Sequence, residues 1–402
     1  MSTADHRPAP GRGPIPFGTE AGGKPPALLA GAAAVGLAGV LAAFFLAAPS
    51  PERFWTNWVF WFLYVMTIGL GALFLVAIEH LAGARWSIPV RRSAERVSGL
   101  ILLASPAALI ALLSLKHIYP WATPEGLSVP IVAAKAGWLN VPFFSIRVVV
   151  CLALWILSWR ILAGGSLRQD RTREAAISAR NRKFAPAFMA LFAFTVTLLA
   201  FDWISSLEPE WYSDIFGVYI FASSFLGGLA ATVLVVLHLM ARGRLPGVRF
   251  DHLYNLGGFL FAFTVFWSYI GFAQYMLIWY ANVPEEVVWY QHRIDGSWRF
   301  LVLALAVLHF CIPFFALVPR DAKGDPRRLR WVAMTVLLAH ALDLYWMVFP
   351  VLGASPVFGI WEVSFGLFFV SASLLWIRRS MARGADMPVG DPFLKEGLEF
   401  RL

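Results

Sequence analysis

The chain has 402 residues, of which 59% are apolar and 14% are charged, and its formal net charge is +9. Soluble domains are about 45–50% apolar and about 25% charged, and disordered chains are poor in apolar residues. The composition therefore excludes a soluble globular domain and a disordered chain. The apolar residues form long unbroken runs, unlike the alternating segments of about 10 residues that build a membrane β-barrel. We therefore predict an all-α polytopic membrane protein.

Ten apolar runs are long enough to be membrane helices, because a helix needs about 20 apolar residues to cross the hydrocarbon core. The predicted spans, numbered 1 to 10 in chain order, are 27–48, 55–81, 97–115, 143–162, 184–203, 216–239, 254–280, 298–318, 331–350 and 358–377. Residues 1–26 are predicted to be a disordered arm rich in Pro and Gly, and residues 378–402 a polar tail. Span 1 follows a long polar stretch, which favours a membrane helix over a cleaved signal peptide, the alternative that the small residues at 47–48 leave open.

Lys and Arg are distributed unevenly between the two ends of the spans. Of the 33, 26 lie in the N-terminal arm, the even-numbered loops and the C-terminal tail, and four lie in the odd-numbered loops. We name the membrane side that carries the 26 basic residues the basic side, and the opposite side the acidic side. Basic loops remain in the cytoplasm, so both termini are predicted to be cytoplasmic. The positive net charge is then explained by the basic loops that orient the chain in the membrane, and nucleic acid is not an expected partner. The acidic side is predicted to be a solvated surface, with a basic protein partner as the alternative.

The order of small and acidic residues suggests an internal repeat. Spans 2 and 6 run in the same direction, and a shift of 158 residues aligns Gly69 with Gly227. Spans 5 and 9 also share a direction, and each carries one aspartate, Asp202 and Asp343. Parallel repeats are a known plan of membrane proteins. We predict two parallel four-helix bundles, 55–203 and 216–350, with outlying helices at 27–48 and 358–377.

Small residues at four-residue spacing predict close contacts between helices. Span 2 carries Thr67 and Gly71, and span 6 carries Ser223, Gly227 and Ala231. We interpret both stripes as packing surfaces.

Three titratable residues fall near the middle of the membrane, where such groups are costly and are therefore functional candidates. His309 is eleven residues into span 8 and His340 nine residues into span 9 from the opposite side, which places them ~16 Å and ~13 Å deep. Asp343 shares a helix face with His340. A proton-carrying station is one interpretation, and a hydrogen-bonded knot that fixes the helices is another. A b-type haem held by His309 and His340 is a third.

Other polar residues lie nearer the two membrane surfaces and could extend such a station into two half-routes, although each alone could be an interfacial charge. The candidates are Glu79 and His80 on the basic side, and Asp202, Glu362, Gln274 and Tyr275 on the acidic side. All nine candidates are interpreted as proton-relay or quinone-proximal residues. His238 and His252, beside basic loops, are expected to be solvated. The sequence carries no nucleotide-binding loop, no zinc-ligand spacing and no c-type haem motif, so no catalytic residue or metal site is predicted.

Three unusual segments carry a resemblance to a known family. They are FDWISSLEPEWYSDIFGVYIF (201–221), SYIGFAQYMLIWYANVPEEVVWYQHR (268–293) and HALDLYWMVFP (340–350). They resemble the ActF-type, NrfD-like (polysulfide-reductase-type) membrane subunits of alternative complex III, a quinol:cytochrome c (electron acceptor) oxidoreductase. The resemblance extends over nearly the whole chain, and Asp202, His340 and Asp343 lie in the matching segments.

The resemblance implies a ten-helix fold with two four-helix bundles in the bacterial cytoplasmic (inner) membrane, surrounded by membrane lipid. It implies as partners a sister NrfD-like quinol-binding subunit, an iron–sulfur subunit and c-type cytochrome subunits. Iron–sulfur clusters and haem c are then held by these partners, and this subunit holds no metal and no covalently bound cofactor. A quinone or menaquinone site is implied more clearly for the sister subunit than for this chain. A proton-conducting role is the better inference here.

Two other functional classes remain open from the sequence. A secondary transporter fits ten spans and parallel repeats, but the two halves lack the matching Gly or Pro breaks that transporters often show. A purely structural anchor for redox subunits fits the same helices without any proton transfer.

Overall fold

The computed structural model describes residues 26–46 and 49–402. Within these residues every regular element is helical, and ten helices are long and apolar enough to cross a membrane. The chain is therefore a multi-pass membrane protein. Spans 1 to 10 are Ala27–Phe45, Pro51–Ala82, Ile88–Ile118, Val141–Thr172, Ala175–Leu207, Phe216–Ala241, Phe250–Ala281, Trp298–Leu317, Pro326–Leu352 and Ile360–Met381. The predicted N-terminal arm, apart from Pro26, and residues 47–48 at the predicted end of span 1 lie outside the described residues.

Each predicted span corresponds to one observed helix, but most of the observed helices are longer. Span 4 continues to Thr172 and span 5 begins at Ala175, so most of the basic loop predicted between them is helical. The chain reverses at Arg173, which takes a left-handed conformation with φ 59°. Hydropathy marks the part of a helix that lies in lipid, and a helix continues beyond the lipid while its backbone hydrogen bonds remain favourable.

Spans 2 and 6 form the centre of the molecule, and both are largely buried. Span 2 packs against spans 3, 4, 5, 6, 9 and 10, and span 6 packs against spans 2, 3, 5, 7 and 9. Span 4 contacts spans 3 and 5, and span 8 contacts spans 7 and 9. Span 1 packs along span 10. The core thus includes facing surfaces of helices that are far apart in the sequence.

Glycine allows spans 2 and 6 to touch through their backbones. A Cβ atom on Gly71 would lie 1.9 Å from the carbonyl oxygen of Ser224, and a Cβ on Gly228 would lie 2.3 Å from the amide nitrogen of Ala72. The predicted stripe on span 6 is therefore shifted by one residue, because Gly227 faces His340 of span 9 instead.

Two spans contain a π-helical segment, Ala200–Ile204 in span 5 and Ala306–Cys311 in span 8. Such segments widen the helix locally and are frequent at functional sites. Each contains one of the predicted site residues, Asp202 and His309. The loop between spans 7 and 8 contains a further helix, Pro284–Ile294, which begins with proline as is common at a first helical position.

The residues after span 10 fold back over the basic side of the molecule. We name residues 384–399 the C-terminal strap; it includes the short helix Leu394–Glu399. The strap covers His252, whose Nε2 donates to the carbonyl oxygen of Gly397 at 2.9 Å. The expectation that His252 is solvated is therefore wrong, because a segment distant in sequence buries it completely. His238 is exposed.

Candidate functional site

His340 and Asp343 are joined by one serine hydroxyl in the interior of the second half of the chain. The Oγ of Ser223 lies 2.8 Å from Nδ1 of His340 and donates to Oδ2 of Asp343 at 2.7 Å. The other ring nitrogen of His340, Nε2, lies 2.9 Å from Oγ1 of Thr67. All four side chains are buried. The arrangement connects spans 2, 6 and 9 through an imidazole, two hydroxyls and a carboxylate.

Three donors converge on the Asp343 carboxylate. Besides Ser223, the hydroxyl of Tyr219 donates to Oδ1, and the indole Nε1 of Trp267 donates to Oδ2 at 3.2 Å. In all three hydrogen bonds Asp343 is the acceptor, as an ionised carboxylate would be. The Ser223 and Tyr219 hydroxyls rotate, so each can accept a hydrogen bond if the carboxyl takes up a proton. Trp267 cannot reverse its role, because an indole nitrogen only donates.

His309 is connected to this group through Trp267. Its ring centroid lies 4.0 Å from that of Trp267, and His309 interacts electrostatically with His340. The side chain is fully buried, and neither ring nitrogen has a hydrogen-bond partner among the described residues. A buried polar group without a partner is rare and calls for an explanation, such as a catalytic role or a bound water. The structure thus brings His309, His340 and Asp343 together, and we name them, with Thr67, Tyr219, Ser223 and Trp267, the polar cluster.

Two glycines make room for the polar cluster. A Cβ on Gly227 would lie 3.0 Å from Cδ2 of His340, and a Cβ on Gly271 would lie 3.0 Å from Cε2 of Tyr219. Larger side chains at these positions would push the imidazole or the phenol ring away from its partner. The site therefore depends on small residues as well as on its polar groups.

Four members of the polar cluster were not among the predicted site residues. Thr67 and Ser223 were interpreted as packing residues, and Tyr219 and Trp267 were not singled out. One signal was available. Tyr219 and Ser223 are four residues apart, and Trp267 and Gln274 are seven apart, so the members of each pair lie on one face of their helix.

Gln274 and Tyr275 lie nearer the acidic side. Gln274 is buried, accepts from the Ser213 hydroxyl at 3.2 Å and donates to the Tyr290 hydroxyl at 3.0 Å. Burial raises the pKa of Tyr290, so this phenol stays protonated. Gln274 is two helical turns from Trp267, about 10.5 Å along span 7. Tyr275 is 38% exposed and packs its ring against Tyr290.

Asp202 lies apart from the polar cluster, in a two-point ion pair with Arg147 of span 4. Nε and Nη2 of Arg147 each donate to one carboxylate oxygen at 2.8 Å, and Nη1 donates to the carbonyl oxygen of Trp138 at 3.0 Å. The pair borders a small cavity of about 20 Å³, whose other walls include Met66 and Cys151. Geometry of this kind holds both side chains in one position.

Glu362 is held in a similar way at the end of span 10. Arg53 donates to its two oxygens at 2.9 Å and 2.7 Å, and Asn57 donates to Oε1 at 2.9 Å. The carboxylate is 5% exposed and the arginine 27% exposed. These bonds fasten span 10 to the start of span 2.

Replacing Arg53 with leucine should leave the Glu362 carboxylate buried with Asn57 alone. We expect a loss of about 2 kcal/mol, less than for a fully buried pair because Arg53 is partly solvated. The apparent melting temperature of the detergent-solubilised chain measures the loss. Arg299→Leu is the matched control, because Arg299 is exposed and forms no ion pair with any described residue. Equal melting temperatures for the two variants would contradict a structural role for the pair.

Glu79 and His80 lie at the basic-side end of span 2, distant from the polar cluster. Both are buried, and both oxygens of Glu79 and the Nε2 of His80 lack a hydrogen-bond partner in the described part of the chain. Thr67 and Glu79 are twelve residues apart on one helix, about 18 Å along its axis. Every residue from 68 to 78 is apolar. The side chains of span 2 therefore provide no polar route between the two.

The geometry does not fit the bis-histidine haem considered from the sequence. Both ring nitrogens of His340 already contact hydroxyl groups, so neither is free to bind iron. Among residues 26–46 and 49–402, no group of three or more His, Cys, Asp or Glu side chains is arranged to hold a metal ion.

A comparison with protein-family models found none that matches the chain, and a comparison with curated proteins found no match.

Proposed function

We propose that the chain is an integral membrane subunit of a respiratory quinol:electron acceptor oxidoreductase, of the ActF type in alternative complex III. In this proposal the subunit moves protons and carries no redox centre. One observation supports it most strongly. An imidazole and a carboxylate lie fully buried in a membrane protein, joined by a hydroxyl that contacts both. Titratable groups at this depth are costly and usually mark proton routes.

The polar cluster can move one proton without any change of backbone. Starting from a protonated His340 and an ionised Asp343, the proton on Nδ1 passes to the Ser223 oxygen while the Ser223 proton passes to Oδ2 of Asp343. The imidazole ends neutral and the carboxyl ends protonated, with the serine unchanged. Tyr219 and Trp267 hold the carboxylate in place during this transfer. Such proton transfer by positioned side chains typically contributes factors of 10²–10⁴ to a rate.

The proposed arrangement in the membrane is two four-helix bundles, spans 2 to 5 and spans 6 to 9, with spans 1 and 10 outside them. The helix contacts support it, because each set of four closes on itself and span 1 packs on span 10. The distribution of Lys and Arg supports cytoplasmic termini, and the resemblance to alternative complex III implies a bacterial inner membrane.

We propose that quinol is oxidised in the sister NrfD-like subunit, and that an iron–sulfur subunit and c-type cytochromes take the electrons. A quinone headgroup needs hydrogen-bond partners for its carbonyl oxygens. In the cavity beside Asp202, each nitrogen of Arg147 already donates to a protein oxygen. The cavity is therefore a poor fit for a quinone headgroup, and no step of the proposal uses one there.

A structural anchor is the second candidate function. The ion pairs Arg147–Asp202 and Arg53–Glu362 favour it, since each fixes two helices to each other and leaves no free carboxylate. Both functions can coexist in one subunit, with the ion pairs in a fixed frame and the polar cluster active inside it.

Affinity purification of the tagged chain from native membranes in mild detergent tests the proposal. We expect iron–sulfur and c-type cytochrome subunits to co-purify, together with a haem c spectrum that quinol reduces. A chain that purifies alone, without quinol-reducible haem, would rule out the respiratory assignment and leave transport as the better candidate. The same purification with Arg53→Leu controls for loss of partners through instability.

A further inference from the structure

Glu79 is a buried carboxyl group beside Ser87 and Arg91, and neither of these side chains meets the geometry of a hydrogen bond to it. It is 4% exposed, and neither of its oxygens has a hydrogen-bond partner in residues 26–46 and 49–402. Arg91 of span 3 interacts with it electrostatically, but Arg91 forms its close ion pairs with Asp391, at 2.5 Å, and with Glu95, at 3.4 Å. A buried polar group without a hydrogen-bond partner calls for an explanation, and access from the aqueous phase is one. The C-terminal strap lies next to this end of span 2.

The C-terminal strap passes over the turn that follows Glu79 and His80. The side chains of Arg85 and Glu396 form an ion pair across this contact, and the guanidinium of Arg85 lies 4.5 Å from the ring of Phe393. A Cβ on Gly397 would lie 2.6 Å from the carbonyl oxygen of Arg85. The strap helix therefore lies directly against the backbone between spans 2 and 3.

Ion pairs hold the strap to both halves of the molecule. Asp391 binds Arg91 at 2.5 Å, and Asp386 binds both Arg96 of span 3 at 2.5 Å and Arg244 after span 6 at 2.6 Å. Both aspartates are buried. These contacts come from a short, mostly irregular segment outside the membrane helices, and segments of this kind open at a lower free energy than packed core helices.

We propose that the C-terminal strap is a cover that controls access from the aqueous phase to Glu79. When the strap is closed, Asp391 holds Arg91 and the turn at Arg85 is covered. When the strap detaches, Asp391 leaves Arg91, and Glu79 with His80 comes into contact with water at the basic side. The proposal depends on the proposed function only for what Glu79 then does, which is to exchange protons with that aqueous phase.

Chemical modification of Glu79 tests the cover directly. The full chain, in opened membranes of its expression host, is treated with a water-soluble carbodiimide and a small amine, and labelling of the peptide that contains Glu79 is quantified by mass spectrometry. Asp391→Asn removes the charge that binds Arg91, and Gly397→Leu forces the strap away from Arg85. We expect Asp391→Asn to raise labelling of Glu79 about tenfold over the unmodified chain, as a lost charge-assisted hydrogen bond predicts. Gly397→Leu should raise labelling as well, because displacement of the strap separates Asp391 from Arg91.

Glu399→Gln is the matched control, because Glu399 is in the same segment but is 67% exposed and contacts only Lys395 at 4.0 Å. It should leave labelling unchanged, and Glu79→Gln should abolish it. If Asp391→Asn does not accumulate in membranes, Gly397→Leu decides alone, since it displaces the strap without removing any charged side chain. Equal labelling of Glu79 in the unmodified chain and in the displaced variants would overturn the proposal. Labelling needs no partner subunit, so this outcome is distinct from a failure of the co-purification.

Discussion

Replacing Gly228 with alanine is expected to destabilise the folded chain by about 3 kcal/mol or more, at the upper end of what added methyl groups cost in a packed core. The new Cβ would lie 2.3 Å from the amide nitrogen of Ala72 and 2.5 Å from the carbonyl carbon of Gly71. Backbone atoms cannot rotate away as side chains do, so spans 2 and 6 must separate. Separation would also break the contact between Thr67 and His340, since these residues belong to spans 2 and 9 and meet beside Gly227.

The measurement is thermal unfolding of the detergent-solubilised chain, followed by the loss of its monodisperse peak in size-exclusion chromatography. Gly258→Ala is the control, because a Cβ on Gly258 meets no atom within 4 Å. Alanine is favoured over glycine inside a helix by about 1 kcal/mol, so this variant should be as stable as the unmodified chain or more so. Equal melting temperatures for the two alanine variants would contradict the close backbone contact.

Replacing Asp343 with asparagine is expected to leave the fold intact and to lower quinol-driven turnover of the assembled complex about 10²-fold. The amide oxygen can still accept from Ser223 and Trp267, and the amide nitrogen can donate to the Tyr219 hydroxyl, which rotates to accept. The hydrogen bonds are thus largely preserved while the group that takes up a proton is removed. Turnover with a soluble quinol and a cytochrome c acceptor, together with the melting temperature, measures the two effects separately.

Asp295→Asn provides the same chemical change at an exposed position between spans 7 and 8 and should retain full turnover. Asp343→Leu tests the structural contribution of the same carboxylate. It leaves the buried donors of Tyr219 and Trp267 without an acceptor, each costing about 1–3 kcal/mol, and should fail to accumulate. An Asp343→Asn complex with unchanged turnover would support the structural anchor and contradict the proton route.

The membrane helices could be predicted from the sequence because lipid acts on each helix separately. Twenty or so apolar residues identify a span without reference to any neighbour, and all ten predicted spans have a counterpart in the structure. The ends of the helices were less predictable. Span 4 continues through Arg168 and Arg171 to Thr172. These last residues are polar, so their hydropathy does not show that they are helical.

The site was predictable only in part, because a single helix reveals its own titratable residues but not their partners on other helices. His340, Asp343 and His309 could be found because each is a titratable group at membrane depth. Their partners could not, because Ser223 and Thr67 are ordinary small residues in packed membrane helices until the fold places them beside an imidazole. The C-terminal strap was missed because its aspartates look like those of any polar tail. Their burial depends on Arg91, Arg96 and Arg244, which are hundreds of residues or several helices away.

The most direct test is the release of protons that accompanies a single oxidation of quinol by the complex, recorded with a pH-sensitive dye outside sealed vesicles. The unmodified complex and its Asp295→Asn control should release protons in step with reduction of the haem. In the Asp343→Asn complex, electrons from one quinol should still reach the haem, but proton release should be lost or delayed by about 10²-fold. Release of the same number of protons at the unmodified rate in Asp343→Asn would show that protons do not pass through His340, Ser223 and Asp343.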